Sequence, residues 1–207
     1  MLVSLSIFNY LCKTFSVIYA IRCLGSLYYK VQKGNDMTEI TADRVQLLKD
    51  AYALEAHPEG GFFVESYTAP YAGPEDRPLT GSIFYLLEGA DVSHFHCIDC
   101  DEIWYFHEGC GMRLTLIDPQ GRLARLDLGA DPACGQRAMV VIPAGVVFAA
   151  ENLDRTSFSF VSCMTTPKFH YEGFSLTGLS RIRALCPEHA DELAYLAYPD
   201  HLTREHP

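Results

Sequence analysis

From Gly61 to Met164 the chain alternates between short runs of β-branched and aromatic residues and short segments rich in Gly, Pro and Asp. Runs of this composition, bounded by turn residues, are typical of β-strands. Many short strands at such close spacing predict a β-sandwich or barrel. We predict strands at Phe62–Tyr67, Gly81–Leu87, Val92–Cys97, Ile103–His107, Arg113–Ile117, Leu123–Leu128, Met139–Ile142, Val146–Ala149 and Phe158–Met164.

A helix is predicted on each side of this strand-rich region. The first begins near Thr38 and ends before Pro58, because the residue before a proline is disfavoured in the helical conformation. The second follows Pro187, with Leu193 and Leu196 on its buried side. The predicted fold class is therefore all-β with one flanking helix at each end.

Two histidines, His94 and His96, alternate within one predicted strand, and Glu102 heads the next strand after a short linker. Residues two apart in a strand point to the same face, so both imidazoles and the carboxylate are expected to meet. Two His and one carboxylate suit non-haem iron, manganese or zinc. The alternative is a polar pocket that binds its ligand without a metal.

Three segments resemble motifs of the cupin superfamily. The two histidines and the glutamate, followed by Gly109, resemble the first cupin motif. Residues 143–152 resemble the second motif, but Phe148 stands where a His ligand is expected. Residues 57–65, His-Pro-Glu-Gly-Gly-Phe-Phe-Val-Glu, resemble the opening signature of the branch called "cupin 5". The resemblance runs from about Val45 to Phe174.

The resemblance implies a cupin double-stranded β-helix, or jelly roll, that binds a small molecule inside its barrel. It also implies a homodimer. In this branch an Arg usually precedes the final Glu of the opening signature, and Val64 replaces it here. The fold of the branch is similar to that of sugar-nucleotide epimerases. Because cupins host many activities, the fold by itself does not select one.

Candidate site residues follow from the motifs and from strand alternation. His96, Glu102 and Glu65 are the catalytic candidates, and His94, His96 and Glu102 are the candidate metal ligands. Ser82 and Tyr85 lie on opposite faces of one strand, and the pattern does not settle which face meets the pocket. His170 and Tyr171 belong to residues 166–174, a segment that resembles the closing motif of the branch and is expected to cover the barrel mouth. The ligand-binding candidates are Glu59, Phe63, Ser82, Tyr85, Trp104 and Phe148.

Three functional hypotheses follow. The first is binding of a small polar ligand, sugar-like or a sugar nucleotide, with epimerase or isomerase chemistry in which a His or Glu removes a proton next to a carbonyl. The second is a metal-dependent dioxygenase-type reaction at His94, His96 and Glu102. The third is a protein that binds a small molecule without turnover. Stoichiometric metal would favour the second hypothesis, and turnover would separate the first from the third.

The formal net charge of −10 argues against a nucleic-acid partner or an anionic membrane surface. Residues 1–36 differ from the rest, since they are apolar and basic with Asp36 as their one acidic residue. We expect them to be disordered or an upstream extension, with a mitochondrial presequence as the alternative to a cytoplasmic protein. Residues 37–198 are expected to form one cupin domain, and residues 199–207 a loose tail.

Overall fold

The computed structural model describes residues 37–73 and 76–203, with side chains from Thr41 onward. The predicted leader, residues 1–36, and the end of the tail, residues 204–207, lie outside the described residues. The chain divides into two compact units, Met1–Ala42 and Asp43–Pro207. The second unit contains every described strand and all of the predicted site residues.

Eleven strands among the described residues form two antiparallel sheets. One sheet has the order β1-β2-β3-β10-β5-β8 and the other β11-β4-β9-β6-β7. The strands are β1 (Glu55–Ala56), β2 (Phe62–Thr68), β3 (Gly81–Glu88), β4 (Val92–Ile98), β5 (Asp101–Gly109), β6 (Met112–Ile117), β7 (Leu123–Leu128), β8 (Met139–Ile142), β9 (Val147–Asn152), β10 (Phe158–Thr166) and β11 (Phe174–Leu176).

The nine predicted strands are confirmed as β2 to β10, and the short strands β1 and β11 were not predicted. The two sheets pack face to face as a jelly roll, as sandwich folds do when each sheet has one apolar face. Inward side chains from both sheets form the main core, among them Leu87, Met112, Leu114, Phe148 and Val161. Other members of this core, Tyr85, Ile98, Trp104 and Cys163, line the functional cavity.

Helix α1 spans Met37–Tyr52, and its part from Asp43 onward covers the outer face of the six-stranded sheet. Val45 and Leu48 are buried there against Leu86 and Phe160, which point away from the main core. The helix ends at Tyr52, earlier than the predicted limit before Pro58, and β1 occupies part of the interval.

The C-terminal region covers the outer face of the five-stranded sheet. The predicted helix after Pro187 is divided into short pieces, Pro187–His189, α3 (Ala190–Leu193) and Ala194–Leu196, and α2 (Leu179–Leu185) precedes it. Leu193 and Leu196 are buried as predicted, against Phe95 and Val147. None of the described helices is long and apolar enough to cross a membrane.

The neighbouring residues Leu47 and Leu48 of α1 provide a matched test of this packing, because Leu47 is 54% exposed and Leu48 is 4% exposed. We expect Leu48→Ala to lower the free energy of unfolding by about 2–5 kcal/mol, through lost burial and a residual cavity. Leu47→Ala should change it by about 0.5 kcal/mol or less. Denaturant titration of both variants measures the difference, and equal losses would show that α1 does not pack through Leu48.

Candidate functional site

A cavity of about 290 Å³ opens inside the barrel and reaches the surface beside the segment that follows β10. Apolar and aromatic side chains form most of its wall, including Phe63, Ile83, Tyr85, Ile98, Trp104 and Phe169. The ionisable side chains on its wall are His57, Glu59, Glu65, Tyr85, His96, Glu102, Lys168, His170, Tyr171 and the thiol of Cys163. A mostly apolar cavity with a few convergent polar groups is the usual form of a small-molecule site.

A β-bulge in β4 separates the two histidines that the sequence places together. Ser93 pairs with Ala150 and His96 with Phe148, so three steps along β4 match two steps along β9. The extra residue breaks the alternation of side chains. Ser93 and His96 therefore both reach the Glu59 carboxylate. His94 instead turns its ring edge-on to Tyr198, and the prediction that both imidazoles share one face is wrong.

His94 holds the loop that carries Glu59. Its backbone N–H donates to the Glu59 carbonyl at 3.1 Å, and its ring Nδ1 lies 2.8 Å from the same oxygen. A carbonyl accepts only, so Nδ1 carries the proton. Gly60 adopts φ +114°, and a Cβ there would lie 2.2 Å from the carbonyl oxygen of Val92. The loop fits against β4 only with glycine at this position.

His96 is buried and neutral. Its Nδ1 lies 2.7 Å from the carbonyl oxygen of His94, so this nitrogen donates and Nε2 is the unprotonated ring nitrogen. Burial lowers the pKa of His96 to about 3. His57, also on the cavity wall, has its pKa lowered to about 4 by burial. Neither imidazole is therefore charged near neutral pH.

Two carboxyl groups lie on the inner wall of the cavity, where Glu59 is 7% exposed and Glu102 is 8% exposed. Burial raises the pKa of Glu59 well above its usual range, and the nearby Glu102 raises it further, while a hydrogen bond from Ser93 opposes both effects. Burial raises the pKa of Glu102 to about 7. Taking a carboxylate out of water favours its neutral form, so burial favours the protonated form of Glu59, and Glu102 is poised between its two forms near neutral pH.

Trp104 presents a hydrogen-bond donor with no partner. Its side chain is 3% exposed, lines the cavity, and follows Glu102 by two residues on the same face of β5. The indole N–H lies close enough to Glu102 to favour the charged carboxylate, but it does not reach hydrogen-bonding geometry with any described residue. An unpaired buried donor costs free energy, and a ligand oxygen would satisfy it.

The rim of the cavity carries an ion pair. Lys168 Nζ lies 2.6 Å from Glu65 Oε2 and 2.6 Å from Thr68 Oγ1. The hydrogen bond from Lys168, with a second from Thr68, lowers the pKa of Glu65. Glu65 is therefore a weaker base than Glu102, and its predicted catalytic role stays a prediction.

Comparison with known proteins gives the family. The model of the family Cupin_5, described as cupin superfamily (DUF985), matches residues 46–177. The chain belongs to the Cupin_5 family. Uncharacterized protein YML079W of Saccharomyces cerevisiae is 29% identical over 181 residues, covering 78% of this chain and 89% of that protein.

Two solved structures share the fold. Protein SO0799 from Shewanella oneidensis is 36% identical with a TM-score of 0.70, over 74% of this chain and 96% of that one. A hypothetical protein from Leishmania major is 26% identical with a TM-score of 0.67, over 74% and 98% of the respective chains. These similarities establish the cupin architecture and the family, and they name no ligand or reaction.

The predicted metal triad is not assembled in this cupin. His94 is turned away from the cavity by the bulge, and Phe148 packs its ring 4.0 Å from that of His96, where the second cupin motif would supply a ligand. Across residues 37–73 and 76–203, no three His, Cys, Asp or Glu side chains are grouped closely enough to hold a metal ion. The donor set therefore does not fit the iron, manganese or zinc site that the spacing predicts.

Most of the other predicted ligand contacts do reach the cavity. Phe63, Ser82, Tyr85, Glu59 and Trp104 line it, whereas Phe148 is buried behind His96. Tyr85 and Ser82, which strand alternation places on opposite faces of β3, both line the cavity. His170 and Tyr171 lie at the mouth as expected.

Sequence reasoning missed His57, Cys163 and Lys168 as cavity residues. His57 and Lys168 lie within segments that resemble the branch motifs, and position in those segments is the signal that would have found them. Cys163 lies in a predicted strand and gives no such signal, because its inward direction depends on the pairing of β10.

The raised pKa of Glu102 predicts a pH-dependent stability difference from Glu102→Gln. Above its unfolded value of 4.5, the unfolded chain loses this proton while the folded chain retains it up to about 7. Wild-type stability should therefore fall relative to the variant as pH rises from 4.5 to 7, by about 3 kcal/mol in total. Denaturant titration at several pH values measures the difference.

Glu65→Gln is the matched control for that experiment. Because the pKa of Glu65 is lowered, its contribution is present above the unfolded value and is lost as pH falls below it, so the sign is opposite. If the difference in free energy of unfolding between wild type and Glu102→Gln stays constant from pH 4.5 to 7, the burial of an uncharged Glu102 is contradicted.

Proposed function

We propose that this cupin is a small-molecule enzyme of the isomerase or epimerase type, which binds a compact polar ligand in the barrel and moves a proton within it. The observation that carries the proposal is the Glu102 carboxyl beside the unpartnered indole N–H of Trp104 in a buried, mostly apolar cavity. The two groups offer proton transfer and oxygen recognition side by side.

The residues divide the chemistry in a consistent way. A general base or acid works best when its pKa lies near the working pH, and Glu102 meets that condition with a pKa of about 7. The Trp104 N–H and the protonated Glu59 are donors for an oxygen that gains negative charge when a neighbouring carbon loses its proton. Neutral His96 supplies an acceptor at Nε2. This set supports proton removal next to a carbonyl.

The size of the cavity restricts the ligand. Its volume of about 290 Å³ lies at the small end of the usual range for ligand sites. A single sugar ring or a molecule of comparable size suits this volume, whereas a whole sugar nucleotide would extend beyond it. The proposal is therefore a sugar-like ligand with its reacting carbon near Glu102.

Binding without turnover and metal-dependent chemistry are the competing predictions. Elemental analysis of the purified wild-type protein and of the His94→Ala variant measures the number of metal ions bound per chain. About one metal ion per chain that is lost in His94→Ala would favour the predicted triad over the proton-transfer site. Ligand binding without any chemical change in the ligand would favour a binding protein.

Loss of the Trp104 donor should weaken ligand binding. We expect Trp104→Phe, which keeps an aromatic ring and removes the N–H, to reduce affinity by about tenfold, because the ligand oxygen loses a buried partner. Saturation-transfer NMR with a panel of free monosaccharides identifies a binder and measures the change. The control is Tyr105→Phe, which removes a hydroxyl group from the other face of β5. Equal affinities for wild type and Trp104→Phe would contradict the assigned role of Trp104.

Proton transfer should depend on Glu102. For a monosaccharide that binds, deuterium from D₂O should enter at the carbon next to the carbonyl, and Glu102→Gln should slow this exchange by about 10²–10⁴-fold. Proton NMR measures the exchange as the loss of the signal from the hydrogen on that carbon. Retained binding with exchange that is unchanged in Glu102→Gln would overturn the proposed function.

A further inference from the structure

Lys168 is the one Lys or Arg among the described residues that line the cavity. It lies in the segment after β10, and its Nζ contacts the carboxylate of Glu65 and the hydroxyl of Thr68. Its position at the rim separates it from the two buried carboxyl groups. The cavity therefore has the Lys168–Glu65 ion pair at its mouth and buried ionisable groups inside.

Lys168 is held firmly in this position. Its backbone N–H donates to the Pro78 carbonyl at 2.9 Å, and its own carbonyl accepts a hydrogen bond from Arg77 Nε. Arg77 in turn makes two 3.0 Å bonds to the carboxylate of Asp99. The aliphatic stem lies over Gly81, where an added Cβ would be 2.7 Å from Lys168 Cγ. Backbone and stem together aim the ammonium group at the mouth.

Glu65, the partner of Lys168, is held much less firmly. Its side chain is 55% exposed, against 25% for Lys168, and its carboxylate contacts Lys168 and the Thr68 hydroxyl. An exposed ion pair contributes little stability, because water solvates both charges well. Another anion can therefore replace the Glu65 carboxylate at small cost, while Lys168 stays in place.

We propose that Lys168 binds an anionic group of the ligand, a phosphate or a carboxylate, and that Glu65 occupies this position until the ligand displaces it. The ligand would then be an anionic sugar or a similarly small anionic carbonyl compound. Its charged end would lie at Lys168 and its reacting end at Trp104 and Glu102. The orientation of the ligand rests on the proposed function, whereas the anion site itself does not.

The overall charge of the chain makes such a local site necessary for an anionic ligand. A protein with a formal net charge of −10 repels small anions at long range. Selective binding of an anion therefore requires a fixed cation close to it, with hydroxyl donors such as Thr68 nearby. Lys168 Nζ donates to the Thr68 hydroxyl, and that hydroxyl donates to the Glu65 carboxylate, whose position the anion would take.

Titration of the full-length chain with inorganic phosphate, and separately with acetate, tests the anion site. Isothermal calorimetry or NMR measures the affinity. We expect Glu65→Gln to bind phosphate several-fold more tightly than wild type, because the competing carboxylate is gone. Lys168→Gln should bind it about tenfold or more weakly, because the charged donor is gone. If these substitutions change the affinity for phosphate more than the affinity for acetate, the site is a phosphate site. If they change the affinity for acetate more, it is a carboxylate site.

Charge-matched controls come from the ion pair between Lys49 of α1 and Glu88 of β3, which lies outside the cavity. Glu88→Gln and Lys49→Gln change the net charge by the same amounts and should leave phosphate affinity unchanged. Equal effects at the two ion pairs would overturn the proposal, since they would report overall charge alone. Failure of Glu65→Gln to bind phosphate would overturn it as well.

Glu102→Gln separates this inference from the proposed function. Phosphate affinity in this variant should still fall about tenfold or more when Lys168→Gln is added, because Lys168 is the residue that binds the anion. Normal phosphate binding with exchange that is insensitive to Glu102 would support the anion site and refute the proton-transfer chemistry. Glu102-dependent exchange with phosphate binding that is insensitive to Lys168 would support the proton-transfer chemistry and refute the anion site.

Discussion

The carbonyl group of Glu59 accepts hydrogen bonds from both the backbone and the ring of His94, and the inner wall of the cavity depends on this contact. It fixes the loop before β2 against β4, where Gly60 alone allows the close approach. The Tyr85 hydroxyl adds a 2.7 Å bond to the Gly60 carbonyl from the other sheet. The Glu59 side chain is thereby held beside Ser93 and His96. His94, which the spacing predicts as a metal ligand, instead positions the loop that carries the Glu59 carboxyl group.

Burial then determines the charge state of the groups that this anchor brings together. Burial favours the uncharged form of both Glu59 and His96, because it raises the pKa of the carboxyl group and lowers the pKa of the imidazole. Neutral groups avoid the large free-energy cost of placing unpaired charges in an apolar cavity. Glu102 is the exception, because its pKa of about 7 allows either form. The proposed proton transfer therefore depends on the Glu102 carboxyl group and on the unsatisfied Trp104 N–H beside it.

The sequence predicts the strands well and the directions of their side chains only where pairing is regular. Glu102 and Trp104 share a face as expected, because β5 is regularly paired with β8 over this stretch. His94 and His96 do not, because a bulge in β4 inserts one residue, and composition carries no signal for a bulge. The ion pair of Lys168 could not be predicted from the sequence, since its partner Glu65 is distant in the chain and only the fold brings them together. The local pattern of residues therefore predicts the strands, whereas the positions of the site residues depend on how distant strands pair.

Glu59 and Glu65 show how the same side chain acquires opposite properties within one short segment. Glu59 precedes the Gly60-Gly61 turn and points inward, where burial raises its pKa. Glu65 lies on β2 at the rim, where water and Lys168 stabilise its charge and lower its pKa. The first is suited to donate a proton or a hydrogen bond, and the second to hold a cation in place. At the proposed anion site, this change from a mostly neutral interior to a charged rim would orient a ligand with its anionic end at Lys168.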